Sequence, residues 1–203
     1  MRDGGSTVDD LIGKDERLIL RRMRLEDQAE YLAVLEASAE FHAPWSPLPP
    51  VDSDPFGAEA FARAFKGDDG VQGVRGLLFA RDADAPRLVG CATVNAIVRG
   101  AFHSAFLGYW LAAGATGRGY MTDGIALLLD HAFRSESEGG LGLHRVEANI
   151  MPHNQASLAV VRRLGFRREG YSPRYLKIAG RWQDHERHAL LVDEWAGAKG
   201  VRS

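Results

Sequence analysis

The chain has 203 residues, of which 45% are hydrophobic and 26% charged, enough for one domain with a substantial core and too apolar for global disorder. Lysine and arginine number 25 against 27 aspartates and glutamates, a formal net charge of −2, which gives no sign of a basic nucleic-acid-binding surface. Cys91 is the single cysteine, which excludes an internal disulfide and a thiolate metal cluster. The sequence shows neither a signal peptide nor an apolar run of roughly 20 residues. We therefore expect a cytoplasmic protein.

The N-terminal half predicts a tail, a strand and two helices. Residues 1–16 are polar and glycine-containing and are expected to form a flexible tail. Residues 17–23 alternate in polarity as an edge strand does. An amphipathic helix then precedes the proline-rich segment 43–55, whose prolines are incompatible with regular structure. A second helix carries Phe61 and Phe65 four residues apart.

The C-terminal half predicts a β-meander, a helix, a strand, a second helix and a closing hairpin. The runs GLLFARD, RLVGCATVNAIV and FHSAFLGYWL are strand-like, and HRVEANI alternates as a half-buried strand with a polar face. The order predicts a mixed α/β (α+β) fold, with a mostly antiparallel sheet of about seven strands flanked by helices. We expect one domain over residues 17–195 and a tail over residues 196–203.

One glycine-bearing segment carries a chemical signal: Thr116-Gly117-Arg118-Gly119-Tyr120-Met121. It follows a predicted strand and opens a helix, so its backbone N–H groups lie at the positive end of the helix dipole and can bind phosphate. An ordinary strand-to-helix turn would explain the same residues equally well. A dinucleotide fingerprint would need glycine in place of Thr122, and the Gly-Lys-Ser/Thr of a P-loop is absent. The interpretation that survives is the pyrophosphate loop of coenzyme A.

The segment resembles the Gln/Arg-x-x-Gly-x-Gly/Ala loop of GNAT acetyltransferases, with departures at Thr116 and Met121. A second family motif, N-x-x-S followed by LGF, is matched by Asn154–Ser157 and Leu164–Phe166. Between about Phe41 and Asp184, five segments resemble RimJ-type ribosomal-protein-alanine N-acetyltransferases in the same order. These are FHAPWSP, VRGAFHSAFLGY, MPHNQAS, LGFRREGY and YLKIAGRWQDH.

This resemblance implies the GNAT fold, acetyl-CoA as co-substrate, and the N-terminal α-amine of a ribosomal protein, with alanine as the expected terminal residue, as acceptor. The near-neutral charge and the lack of a long apolar run predict no direct contact with nucleic acid or membrane, and the oligomeric state stays open. Coenzyme contacts would come from the Thr116–Met121 backbone, from Asn154 on the pantetheine arm, and from a backbone N–H of Trp110 or Leu111 on the thioester carbonyl. Alternatively, the N–H groups of Trp110 and Leu111 would only pair with a neighbouring strand of the sheet.

The resemblance also implies the proton-transfer residues. Many relatives use a tyrosine at the position of Val161, which leaves Ser157 as donor to the departing thiolate, although helix capping would explain Ser157 as well. Asn149 stands where some related enzymes have a glutamate base. Since an amide cannot take a proton, Glu147 is the predicted base through water, with an ion pair to Arg145 as its alternative.

Acceptor binding is expected at the proline-rich loop and the closing hairpin. The candidate residues are aromatic or imidazole side chains that would otherwise belong to the core: Trp45, Phe102, His103, Tyr109, Tyr171 and Tyr175. His185 and His188 approach metal-ligand spacing but lack a third ligand, so no metal site is expected. Two other functions stay open: acetylation of a small-molecule amine, aminoglycoside or lysine, and a non-catalytic acyl-CoA-binding or ribosome-assembly role.

Overall fold

The computed structural model describes residues 10–198 and 200–202, and within them eight strands form one sheet flanked by five helices. The strands are β1 (Leu11–Lys14), β2 (Leu18–Arg22), β3 (Gly73–Ala80), β4 (Arg87–Val98), β5 (Ser104–Leu111), β6 (Arg145–Ile150), β7 (Arg167–Ile178) and β8 (Arg181–Leu191). The helices are α1 (Gln28–Ala37), α2 (Ala39–His42), α3 (Ala58–Lys66), α4 (Tyr120–Phe133) and α5 (Gln155–Arg163).

The sheet runs in the order β1-β2-β3-β4-β5-β6-β8-β7. All neighbouring strands are antiparallel except β5 and β6, which are parallel. The predicted mixed, mostly antiparallel sheet is therefore confirmed, with one strand more than expected. None of the helices in the described part of the chain combines the length and apolar character that crossing a membrane requires.

The additional strand corrects the expected N-terminal tail. Residues 11–14 pair with β2, and the Ile12 side chain is buried in the core, so β2 is not an edge strand. Residues 1–9 lie outside the described residues. The expected C-terminal tail is corrected as well, because Trp195 Nε1 and the Ala198 N–H both donate to Asp130 Oδ1, at 2.8 and 3.1 Å. These bonds attach the end of the chain to α4.

Helices cover both faces of the sheet and divide the core in two. On one face α4 packs so closely that all but two of its 14 residues are buried, as expected of a helix that is apolar nearly all round. Gly124 makes that approach possible, since a Cβ there would lie 2.0 Å from Leu78 Cδ2. On the other face α1 and α3 bury Tyr31 and Phe61 in edge-to-face contact, with ring centroids 5.7 Å apart.

The parallel pair β5 and β6 separates partway along its length. The strands pair only at Ser104–Phe106 and Arg145–Glu147. Beyond that point β5 continues beside β4 and β6 continues beside β8, so the facing edges of residues 107–111 and 148–150 have no strand between them. The gap is a cleft in the middle of the sheet.

The segment after α1 borders this cleft and is attached at three points. Ser38 Oγ accepts a hydrogen bond from the Ala113 N–H at 3.1 Å, and His42 Nε2 lies 2.7 Å from the carbonyl oxygen of Leu111. The Ala179 N–H, in the turn between β7 and β8, donates to the carbonyl oxygen of Ser46 at 2.9 Å. The proline-rich segment is therefore anchored between β5 and the closing hairpin.

Candidate active site

A cavity of about 200 Å³ occupies the cleft between the diverging parts of β5 and β6. Its walls come from five parts of the chain: the proline-rich segment, β5, the β6–α5 region, β7 and β8. The lining residues are Trp45, Leu107, Gly108, Tyr109, Ala148, Asn149, Ile150, Met151, Asn154, Ser157, Leu176, Ile178 and His185.

The N-terminus of α5 faces the cavity through two predicted residues. Asn154 Oδ1 accepts a hydrogen bond from the Ser157 N–H at 3.1 Å, which makes Asn154 the helix cap. The capping alternative for Ser157 is therefore wrong, and its hydroxyl has no hydrogen-bond partner among the described residues. Both residues line the cavity, so the Asn154 amide nitrogen and the Ser157 hydroxyl remain available to a ligand.

Tyr109 connects the two sides of the cleft. Its hydroxyl donates to the carbonyl oxygen of Ser157 at 3.2 Å, joining β5 to α5. Burial raises the pKa of Tyr109 to about 12, so the phenol stays protonated at neutral pH. Tyr109 therefore acts here as a hydrogen-bond donor and does not exchange protons.

Asn149 brings an unsatisfied acceptor to the cavity. Its Oδ1 is buried and has no hydrogen-bond partner within the described residues. Leaving a buried polar atom unpaired costs about 1–3 kcal/mol, and such atoms are typical of sites that a ligand completes. Asn149 is thus suited to accept a hydrogen bond from a bound molecule.

Glu147, the base predicted from sequence, is not among the cavity residues. It lies where β5 and β6 are still paired, opposite Phe106, and Arg145 Nε donates to its Oε1 at 2.9 Å. Arg145 also pairs with Glu169, so Glu147 belongs to an ion-pair network on the sheet face. The ion-pair alternative is correct, and the prediction of Glu147 as base is not supported.

The Thr116–Met121 loop leads directly into α4. Gly117 and Gly119 have φ of 75° and 80°, left-handed conformations that favour glycine, and Gly119 is the residue before the helix. The backbone N–H groups of the first helical turn lack intrahelical partners and coincide with the positive end of the dipole. Met121 is 4% exposed and Thr116 Oγ1 donates to the carbonyl oxygen of Ala113, so neither side chain faces an anion.

Side chains distant in sequence hold this loop in place. Arg17 pairs with Asp123 at 2.7 Å and also donates to the carbonyl oxygen of Arg118. Asp82 accepts from Tyr120 Oη at 2.5 Å and pairs with Arg118 at 3.2 Å. The tyrosine bond, with help from Arg87, lowers the pKa of Asp82 to about 2. Sequence reasoning missed Arg17 and Asp82 because no local motif marks either.

The two predicted backbone donors of β5 point in opposite directions. The Ala112 N–H bonds to the carbonyl oxygen of Val89 at 2.8 Å, and N–H groups alternate in direction along a strand. The N–H of Trp110 therefore faces β4, where Trp110 is in register with Cys91, and that of Leu111 faces the open edge. The prediction that the Trp110 N–H contacts the thioester carbonyl is therefore wrong, and the Leu111 N–H remains the candidate for that contact.

The structure brings only part of the predicted acceptor site together. Trp45 and Tyr109 line the cavity, and the Tyr175 ring contacts His185 edge-on with centroids 5.6 Å apart. Phe102 and His103 precede β5. At 3.3 Å per strand residue they lie about 20 Å from Tyr109, so their assignment to the acceptor site is corrected. Tyr171, the remaining candidate, is 46% exposed, and its hydroxyl donates to Asp184.

His185 is a cavity residue that the sequence suggested only as a metal ligand. Residues three apart on a strand point to opposite faces, so His185 and His188 do not converge on one ion. Among residues 10–198 and 200–202 no group of three metal-binding side chains is arranged to hold a metal.

Comparison with known proteins gives consistent results. A family model described as an acetyltransferase (GNAT) domain matches residues 17–167. The chain is 37% identical over 114 residues to the ribosomal protein uS5-alanine N-acetyltransferase of Escherichia coli (strain K12), a match covering 56% of each chain. It spans about half the length of the curated relatives it matches.

Solved structures cover more of the chain. Mycobacterium smegmatis RimJ in complex with CoA-disulfide superposes with a TM-score of 0.79 and 30% identity, covering 91% of this chain and 87% of that one. The spermidine N-acetyltransferase from Vibrio cholerae, in complex with CoA and spermine, shares the fold with a TM-score of 0.71 and 22% identity over 89% of this chain and 98% of that one.

Proposed function

The chain belongs to the GNAT acetyltransferase family, and we propose that it transfers an acetyl group from acetyl-CoA to the N-terminal α-amine of a ribosomal protein. The observation that carries the proposal is the cleft between β5 and β6, which places an open strand edge, the N-terminus of α5 and an unpaired Asn149 amide oxygen around one cavity. A direct transfer needs those three features: a polarising donor, a proton source, and a place for the amine.

The coenzyme would bind along the open edge of β5. The pyrophosphate would accept hydrogen bonds from backbone N–H groups of Gly117–Met121 at the start of α4. The pantetheine arm would lie in the cleft, where the amide nitrogen of Asn154 is available to it. The N–H of Leu111 would donate to the thioester carbonyl and stabilise the oxyanion that forms there.

The amine would then attack the thioester carbon directly. The carbon–sulfur bond breaks as the tetrahedral intermediate collapses, and the thiolate needs a proton. Ser157 would supply it, a role supported by its position on the cavity wall and by its not serving as the helix cap. Asn149 Oδ1 would accept an N–H of the amine and orient its lone pair.

The cavity favours a small N-terminal residue over a polycation. Its volume of about 200 Å³ is below the 300 Å³ or more typical of pockets for drug-sized ligands. No aspartate or glutamate is among the described residues that line it, whereas a polyamine would require carboxylates to neutralise its several charges. An α-amine has a pKa near 7.7–8.0, so roughly a tenth is already neutral at pH 7. The α-amine of a terminal alanine fits these conditions.

Thiol release from acetyl-CoA tests the proposal. The acceptors are peptides with N-terminal Ala, Ser or Met, the same Ala peptide with a blocked terminus and a free lysine, spermidine, and an aminoglycoside. Preferential turnover of the free-terminus Ala peptide is expected. Preference for spermidine or the lysine peptide would overturn the assigned acceptor, and coenzyme binding without turnover of any amine would indicate a non-catalytic acyl-CoA-binding protein.

A further inference from the structure

Only two side chains that line the cavity in the described part of the chain can titrate, Tyr109 and His185. Tyr109 has a pKa of about 12 and keeps its proton throughout the neutral range. The carboxylate expected from sequence, Glu147, lies outside the cavity and is paired with Arg145. Among the described residues that line the cavity, His185 is therefore the one that can accept a proton near neutral pH.

The His185 ring has a defined tautomer. Its Nδ1 lies 3.0 Å from the carbonyl oxygen of Gln183, and because a carbonyl only accepts, Nδ1 carries the proton. In the neutral ring Nε2 then has the lone pair, and it has no hydrogen-bond partner among the described residues. The residue is 3% exposed, so the strand and the Tyr175 ring fix its position.

The surroundings keep this imidazole neutral at pH 7. Burial lowers the pKa of His185 below 6.5, and His153, from the segment between β6 and α5, lowers it further. Asp184 on the same strand and the Gln183 carbonyl act in the opposite direction and do not outweigh burial. From β7 the neighbour is Tyr175, whose ring edge contacts the imidazole. A neutral imidazole in a cavity is suited to take up a proton.

We propose that His185 is the general base of the reaction, taking a proton on Nε2 from the α-ammonium group of the acceptor; this assignment rests on the proposed function. The N–H bond of the ammonium breaks, its electron pair becomes the nucleophilic lone pair, and the proton moves to the imidazole. The amine attacks the thioester carbon and the C–S bond breaks. The second amine proton reaches the thiolate through Ser157, and the imidazolium returns its proton to solvent.

The pH dependence of kcat distinguishes this role from a structural one. In wild type at saturating acceptor, kcat should fall only below the pKa of His185, that is, below 6.5. In His185→Gln, which is polar but has no titratable ring, only acceptor that is already neutral can react. The acidic limb of the variant should therefore follow the α-amine, which titrates near 7.7–8.0, and lie at higher pH than the limb of wild type, while the two enzymes should match at pH 9.

Two further variants complete the experiment. His185→Ala leaves space for imidazole, and added imidazole should restore its kcat at pH 7. His144→Gln changes an exposed histidine at the far end of β6 and should leave the profile unaltered. Acetyl-CoA affinity should be the same in all three variants. A wild-type profile in His185→Gln, or loss without rescue and without a pH shift, would overturn the base assignment alone. Absence of turnover in wild type with every amine would overturn the proposed function and the base together.

Discussion

Replacing Gly119 with valine should weaken acetyl-CoA binding more than it weakens the fold. At φ 80° a β-branched residue is strained by roughly 1–2 kcal/mol, but its Cβ would meet only Arg17 Nη1, at 3.6 Å. The new methyl groups would project where the pyrophosphate must approach the loop amides. Losing one N–H bond to a charged phosphate costs about 1.5–3 kcal/mol, which corresponds to a rise in Kd of roughly ten- to a hundredfold.

Gly139 provides a matched control for the backbone strain. Its φ is 79°, a Cβ there would meet nothing within 4 Å, and it lies beyond the opposite end of α4, about 20 Å from the loop. Gly139→Val should therefore lose similar stability in urea denaturation but bind acetyl-CoA normally in calorimetry. Equal affinity in wild type, Gly119→Val and Gly139→Val would refute the placement of the pyrophosphate at this loop.

Three other perturbations test the remaining parts of the site and the core. Ser157→Ala should lower kcat by about 10²–10⁴-fold and leave acetyl-CoA affinity nearly unchanged. The free energy of unfolding should also stay nearly unchanged, because Asn154 provides the helix cap. A loss of stability instead of rate would contradict this role. Trp45→Ala should raise the acceptor KM at least about tenfold and leave coenzyme binding unchanged. As a control, Trp182 is 62% exposed and does not line the cavity, so Trp182→Ala should change neither quantity. Equal losses of affinity for acceptor and coenzyme in Trp45→Ala would show that Trp45 is a core residue. Burial, reinforced by Arg22 and Arg134, lowers the pKa of His131 to about 4. Between pH 6.5 and 4 the unfolded chain therefore binds a proton there that the folded chain does not, and stability decreases as pH falls. His131→Gln should reduce the difference in urea midpoint between pH 7 and pH 5, and an unchanged difference would disprove the link.

Features that depend on local pattern could be predicted from the sequence. The alternation of residues 144–150 correctly predicted a half-buried strand, and its Val146 and Ile150 lie in the core, because period-2 polarity reports which face of a strand is buried. The glycines before α4 correctly marked a strand-to-helix loop, since positive φ is a local requirement. The short β1 was missed because it has only four residues, one of them Gly13, which are too few to show an alternation of apolar and polar side chains.

Features that depend on long-range geometry could not be predicted. Arg17 and Asp123 are 106 residues apart and meet only because β2 and α4 pack together. His185 reaches the cavity through the pairing of β8 with both β6 and β7, and the β7 register shifts between Ser172 and Leu176. Phe102 was misplaced because the sequence does not reveal at which end β5 leaves β6.

The insertion of β8 between β6 and β7 has a consequence for the timing of synthesis. A ribosome releases the N-terminus first, so β6 emerges after its parallel neighbour β5 but well before its antiparallel neighbour β8. Until residues 181–191 follow, the edge of β6 that faces β8 is unpaired and the cavity lacks the wall that carries His185. A nascent chain of this protein can therefore complete the cavity only after residues 181–191 have been synthesised, so any activity at this site has to wait for β8.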